Sequence, residues 1–428
     1  MSPKARKRTG PRRGRPAGKP SARGARRALR RDVAETVKKL FQESTVGAGD
    51  GAENGKRLEP RPEGISPNTL KDNRSRSRKH GKIMTAVDLY CGCGGVTVGL
   101  KRKGYKVVAA VDNDPVACAT YRANHSDVCL LEKDVRSVDP GEIFKRHLNG
   151  RRLDLLVVCA PCQPFSSLNR KRRDDERSEL ILQASRFAKI LRPAVILFEN
   201  VPGLASTEAH GILSRLREEL AEVGYVLGEP KRIDAADYGV PQRRARCILF
   251  SVPAGRPMPK FPIPKTPEGK RITVRQAIGK LKPLGTGEKD PRDPLHFSRR
   301  HLPIALERLQ HVPKDGGDRF SLPPDLELAC HKGHRGHPDV YGRMRWDDVA
   351  PTLTTGCTDV TRGRFAHPRD DRAISLREAA LLQTFPKRYR FAGCPGEVAT
   401  QIGNAVPVRL IEAIAPVLRK TARRRRRK

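Results

Sequence analysis

Two cysteines three positions apart frame the chemistry open to this chain. Cys159-Ala160-Pro161-Cys162-Gln163-Pro164-Phe165-Ser166 follows Leu155-Leu156-Val157-Val158, an apolar run with the length and β-branched content of a buried parallel strand. The prolines forbid a continuing strand or an immediate helix. Cys162 is therefore presented on a loop at a strand end, where open α/β sheets place their chemistry. Position alone leaves four roles open: nucleophile, redox partner of Cys159, metal ligand or buried thiol. A thioredoxin-like pair would open directly into a helix, and Gln-Pro-Phe does not suit that context.

A second stretch, Asp88-Leu89-Tyr90-Cys91-Gly92-Cys93-Gly94-Gly95, ends another strand and opens a helix. Its glycines allow a sharp turn and a close approach to a ligand. Asp112 and Asp134 end the next two strands, where nucleotide folds set acids against ribose hydroxyls and an adenine amino group. The spacing is not that of a dinucleotide fingerprint, and the loop has no P-loop lysine. An acid-lined pocket suits a ligand with ribose, adenine and a cationic centre, and S-adenosylmethionine has all three.

The elements that must carry these residues alternate. Strands are expected at Met84–Tyr90, Lys106–Val111, Val128–Leu131, Leu155–Val158, Ala194–Phe198, from Tyr225, and at Cys247–Val252, with helices after the glycines and over Pro115–Asn124. This rhythm predicts an α/β domain with a doubly wound, largely parallel sheet over 83–255. It stops where 256–371 turns dense in Pro, Gly and charge, which reads as a smaller irregular domain. Ser375 and Glu378 then form a capping box before Ala379–Phe385, and Val406–Leu418 has the pattern of a last amphipathic helix within 372–418.

The chain has 428 residues and a formal charge of +39. Residues 1–31 hold 13 Lys/Arg and no acid, and 419–428 hold 8 and no acid. That leaves +18 for the body, so a polyanionic partner is expected beyond any effect of the arms. Residues 1–82 read as a disordered basic arm with a short helix at Val33–Phe41, and 419–428 as a basic tail. No apolar run has membrane-spanning length, and the ten unpatterned cysteines do not form a disulfide framework, so a soluble, intracellular protein is expected. Cys330, His331, His334 and His337 cluster without a paired zinc-like spacing, which favours polar loop residues over a zinc site.

Taken together, DLYCGCGG (88–95), APCQPFS (160–166), Glu199-Asn200-Val201, QRRAR (242–246), SLREAALLQTFP (375–386) and IGNAVP (402–407) resemble, in order, the motifs of the DNA (cytosine-5)-methyltransferase family. The resemblance covers roughly 84–418. It implies a Rossmann-like S-adenosylmethionine-dependent domain, a target-recognition domain at 256–371, and a final helix that returns to the sheet. Cys162 would add to cytosine C6, Glu199 would hold N3 and the exocyclic amine, and Arg246, with Arg244 on the same strand face, would bond the carbonyl and orient Glu199. Asp88, Tyr90, Gly92, Gly94, Gly95, Asp112, Asn113, Asp134, Val135, Leu180, Asn404 and Ala405 would contact the cofactor. Gln163, Ser166, Arg170, Lys171, Arg172 and Arg173 would contact DNA from a mobile loop, around a base flipped out of the duplex. Both Cys162 and Glu199 are present, which disfavours a catalytically dead relative, and the long basic recognition region favours DNA over RNA. A monomeric modification enzyme is expected, beside a cognate restriction endonuclease or alone, cytoplasmic and nucleoid-associated, or nuclear in a eukaryotic source.

Overall fold

The computed structural model describes residues 83–161, 176–206, 210–333 and 335–423, which lie within one compact unit. The basic arm, the Val33–Phe41 helix, Cys162 to Arg173, His334 and the last five residues of the tail lie outside the described residues. The strands are β1 (Met84–Leu89), β2 (Tyr105–Asp112), β3 (Cys129–Glu132), β4 (Leu155–Val158), β5 (Val195–Asn200), β6 (Tyr225–Leu227), β7 (Lys231–Asp234) and β8 (Ala245–Pro253). They form one sheet in the order β3-β2-β1-β4-β5-β8-β6, with β7 also paired to β8. β3 to β5 along that path are parallel, and β8 runs antiparallel to β5, β6 and β7.

Register brings the chemistry to one edge. Leu89 pairs with Val111 and Val158, and Val158 pairs with Phe198. The carboxyl ends of β1, β2, β4 and β5 therefore lie side by side, and strand order reverses between β1 and β4, where such sheets bind ligands. Both faces are covered. On one, Ile143, Phe187, Leu191, Leu216 and Leu220 from three helices pack on Val87, Leu156 and Phe198. On the other, Leu100 and the final helix (Leu410, Ile411, Ile414, Leu418) pack on Val107, Leu155 and Leu197. The helix Val408–Arg423 starts only after Pro407 and runs into the basic tail, where Arg419 donates to the carbonyls of Lys103 and Gly104.

The described part of 256–371 contains two short helices, Val274–Ile278 and Pro303–His311, single-turn helices and isolated bridges. Val274, Met344, Leu353 and Phe365 share a core with Leu376, Ala380 and Ile402 from the C-terminal segment, so its apolar side is closed by those helices. The Ser375–Glu378 capping box forms as the sequence implies, on the helix Leu376–Leu382. That helix stops short of Phe385 because Thr384 takes a left-handed conformation, φ 65°. No helix among the described residues is long and apolar enough to cross a membrane.

Candidate active site

The turn after β1 is built on positive φ angles at Tyr90 (60°), Gly92 (50°) and Gly94 (94°). The Gly92 N–H donates to Asp112 Oδ2 at 2.8 Å, which ties the ends of β1 and β2 together. A Cβ at Gly92 would meet nothing within 4 Å, so this residue borders open space. Gly94 and Gly95 serve packing instead. A Cβ there would stand 2.6 Å from His125 Nε2 and 2.7 Å from the Val406 carbonyl, respectively. The second of these close approaches sets the Asn404–Ala405 turn against the glycine loop. Asn404 is exposed and Ala405 half-buried.

Four acids at this edge differ in environment. Asp88 is fully buried; its Oδ2 accepts from Thr97 Oγ1 at 2.8 Å, and its Oδ1 has no partner. Burial pushes its pKa up to about 7, against the Thr97 hydrogen bond and with help from Asp112. Asp112 accepts N–H groups from both Gly92 and Asp114, and burial raises its pKa too. Asp134 caps the turn Val135–Ser137 and takes two side-chain bonds from Arg136, at 3.0 and 2.8 Å, which hold its carboxyl below the usual range. Tyr90 donates to the Leu180 carbonyl at 2.6 Å, so those two residues meet as the sequence grouped them, while Val135 is buried and Asn113 exposed.

The fourth acid, Glu199, ends β5. Its Oε1 lies 2.8 Å from Arg246 Nε, and both side chains are about nine-tenths buried. Arg246 also donates to the Ala245 carbonyl at 2.7 Å. Asn200 Nδ2 donates to the Ala160 carbonyl at 3.2 Å, holding the chain that enters Cys162. The Cys159 thiol lies among the same groups. Burial, the Glu199 charge and a hydrogen bond to Glu199 push it well above the ordinary thiol range, so it stays protonated. Cys162, Gln163, Ser166, Arg170, Lys171, Arg172 and Arg173 lie outside the described residues.

Arg244, just before β8, and Arg246 take different partners. Its guanidinium donates to the carbonyls of Leu353 (2.8 Å), Gly403 (2.7 Å) and Ala405 (3.2 Å). Gln242 and Gln383, fully buried and not singled out from sequence, complete this network. Their signal was a glutamine within each of two otherwise apolar or arginine-rich motifs. Among the described residues, no three of His, Cys, Asp and Glu come together as a metal site.

A family model described as C-5 cytosine-specific DNA methylase matches residues 84–420. The chain is similar to the Type II methylase M.HgiDII of Herpetosiphon aurantiacus, with 40% identity over 346 residues, covering 79% of this chain and 96% of that protein. It is also similar to the Type II methyltransferase M.PspPI of Psychrobacter sp., with 34% identity over 345 residues and 78% of each covered. In fold it matches the crystal structure of a DNA modification methyltransferase encoded within an Escherichia coli prophage, with TM-score 0.63, 23% identity, 80% of this chain and all of that one. The family model runs from the first strand to the last helix, over the same edge that gathers the glycine turn and the Glu199–Arg246 pair. The chain therefore belongs to the C-5 cytosine-specific DNA methylase family and is a DNA cytosine-5 methyltransferase.

Proposed function

We propose that this methyltransferase uses S-adenosylmethionine and acts on a cytosine flipped out of double-stranded DNA, through a covalent adduct between Cys162 and C6. The residues at the β1–β2 edge fit that cofactor. Gly92 borders open space, Asp88 Oδ1 is a buried acceptor without a partner, and Asp112 retains lone pairs for ribose hydroxyls. Asp134, already engaged by Arg136, would share its carboxylate with the adenine amine. Bound there, the cofactor supplies a methyl group made electrophilic by its sulfonium.

The observation that carries the reading of the base pocket is the buried Glu199–Arg246 pair beside the chain leading to Cys162. Glu199, oriented by Arg246, accepts from the exocyclic amine of cytosine and shares a proton with N3, favouring N3 protonation as the adduct forms, and Arg246 donates to the carbonyl. The Cys162 thiolate adds to C6 and moves electron density to C5. C5 takes the sulfonium methyl, with S-adenosylhomocysteine as the leaving group; a solvent base then removes the C5 proton as the C6–S bond breaks, which releases the thiolate and restores the ring. Cys159, kept protonated by its surroundings, does not compete as a nucleophile. The irregular region 256–371 reads the sequence, and the basic arms add phosphate affinity without specificity. The names of the Type II relatives support a place beside a restriction endonuclease acting on the same sequence.

Bisulfite sequencing of DNA from cells expressing the protein tests this reading. Cytosine C5 methylation at one defined sequence is expected; methylation at N4 or adenine N6, or only of RNA, overturns it. Cys162→Ser should abolish turnover and keep cofactor binding, so multiple turnover in that variant removes Cys162 from the mechanism. Deleting residues 1–31 should weaken DNA binding most at low salt while leaving the methylated sequence unchanged.

A further inference from the structure

Arg244 sits at the meeting point of three segments. Gly403 and Ala405, whose carbonyls it holds, lie at the end of the helix Pro395–Asn404. Carbonyls at a helix C-terminus lack partners within the helix, and a cation there also suits the helix dipole. Gln383 Nε2 donates to the same turn, to the carbonyls of Ile402 at 2.7 Å and Ala405 at 3.3 Å. On the other side, Leu353 is gripped at both ends of its peptide unit. Its carbonyl accepts from Arg244, and its N–H donates to Gln242 Oε1 at 3.0 Å. Gln242 and Gln383 bond each other at 3.2 Å, which closes the network.

There is no slack between the two segments. A Cβ on Gly403 would stand 2.4 Å from the Thr354 carbonyl carbon and 2.6 Å from the Thr355 nitrogen, so the 354–355 peptide lies directly on that glycine. The outer side of this segment is open: Thr352 and Thr355 are exposed, and the exposed Arg243 and Arg362 side chains adjoining it are held only by long ion pairs, 3.7 Å to Asp348 and 3.9 Å to Asp359. Surface pairs of this kind contribute little, so both guanidinium groups can turn to a phosphate beside the Thr355 hydroxyl. One face of the junction therefore carries the Asn404–Ala405 turn toward the glycine loop, and the other carries groups able to meet a DNA backbone.

We propose that Gln242, Arg244 and Gln383 are positioning residues that tie the Asn404–Ala405 turn to the Leu353–Thr355 segment, so that cofactor and target DNA strengthen each other's binding. This rests on the cofactor and DNA reading given above. A shift of the turn breaks Arg244's bonds or drags Leu353 with it, and the tightly packed Thr354–Thr355 peptide cannot absorb the motion. Each ligand then selects the same arrangement of the junction.

The test uses the full-length protein. S-adenosylhomocysteine is titrated calorimetrically alone and with a saturating duplex that carries the sequence found by bisulfite mapping. The wild type should bind it about five-fold or more tightly with the duplex, and linkage requires the duplex to gain the same factor. In Gln383→Ala the ratio should fall to about one. Gln242→Ala, which frees the Leu353 N–H and the Gln383 contact without adding bulk, carries the test if the first variant fails to fold. A ratio unchanged in a folded Gln383→Ala or Gln242→Ala variant, or a ratio of one in the wild type, overturns the proposal. A wild type that binds neither ligand overturns the functional reading instead.

Discussion

In the sheet, backbone carbonyls are answered by neighbouring strands, and the space between sheet and helices is filled by aliphatic side chains such as Leu156, Leu197 and Ile414. Among the described residues from 256 to 372 only isolated bridges form, and arginine takes the place of a ladder. Arg343, fully buried, donates to the carbonyls of Leu309, Val312, His367 and Asp370 and to the Asp371 carboxylate. Arg319 holds Gly336 and His337; Arg364 holds Gly316, Gly317 and Arg343; Arg372 holds Leu284 and Ala373. Buried carbonyls must be paired, and the guanidinium fork offers five donors in a fixed plane. Irregular backbone can therefore be buried and fixed without a ladder, provided donors are counted out residue by residue.

The largest expected effect breaks the device itself. Arg343→Lys keeps the charge and loses the fork, leaving several carbonyls without donors and the Asp371 contact reduced. A loss of about 3 kcal/mol or more is expected in urea unfolding. Leu197→Met, a swap of similar volume in the centre of β5, should cost less than about 1.5 kcal/mol. If the two variants lose the same stability, the contrast between donor-counted and volume-filled regions fails.

Next comes Glu378, buried with its two oxygens on Arg372 at 2.8 and 2.9 Å. Burial alone would raise its pKa, but the Arg372 hydrogen bonds and charge overcome this and hold it at about 2, against an ordinary 4.5. A carboxylate depressed in the folded state contributes stability above its unfolded pKa and loses it as pH falls through the folded one. About 3 kcal/mol present at neutral pH should therefore disappear between about pH 4.5 and 2. Glu378→Gln should flatten that acid limb of a stability–pH profile.

A finer test sets the two regions against each other. Burial lowers the His367 pKa to about 4, so its contribution is present above 6.5 and is lost as pH falls through about 4. Asp88, raised to about 7 under the sheet, has the opposite sign: its contribution is present below 3.8 and is lost as pH rises through about 7. Between about pH 4 and 6.5 the two slopes oppose. Relative to wild type, Asp88→Asn should lose stability on acidification through this window, and His367→Gln should gain it. Matching slopes in all three proteins would show that neither group is buried in the state assigned to it.

The division also explains what was legible beforehand. Sheet strands announce themselves because burial on both faces demands continuous β-branched runs, and the strand-end acids follow from them; Pro115–Asn124 and Leu155–Val158 fall where the pattern put them. Glu199 and Arg246 come together because β5 and β8 are adjacent in register, Glu199 opposite Ile248. The partners of Arg244, the carbonyls of Leu353, Gly403 and Ala405, lie more than a hundred residues away in sequence and could not be read from strand alternation. Arg319, Arg343 and Arg372 were invisible in the sequence, since an arginine in a basic, Pro-rich stretch reads as solvated. Whether its donors are consumed by carbonyls depends on long-range loop geometry that no local pattern encodes.

The smallest effect on stability is expected where neither device operates. Gly92 touches no side chain at its Cβ position, and its N–H bond to Asp112 survives any substitution except proline. Gly92→Ala therefore costs only the left-handed backbone penalty at φ 50°, about 1 kcal/mol. Gly94→Ala should cost more, because its methyl meets His125 Nε2 and Tyr389 Oη as well. The alanine at 92 projects into the open space beside the loop, so S-adenosylhomocysteine affinity should fall well out of proportion to the change in Tm. An unchanged affinity in a Gly92→Ala protein would mean that the space beside Gly92 is not where the cofactor lies, and would move the cofactor reading away from this turn.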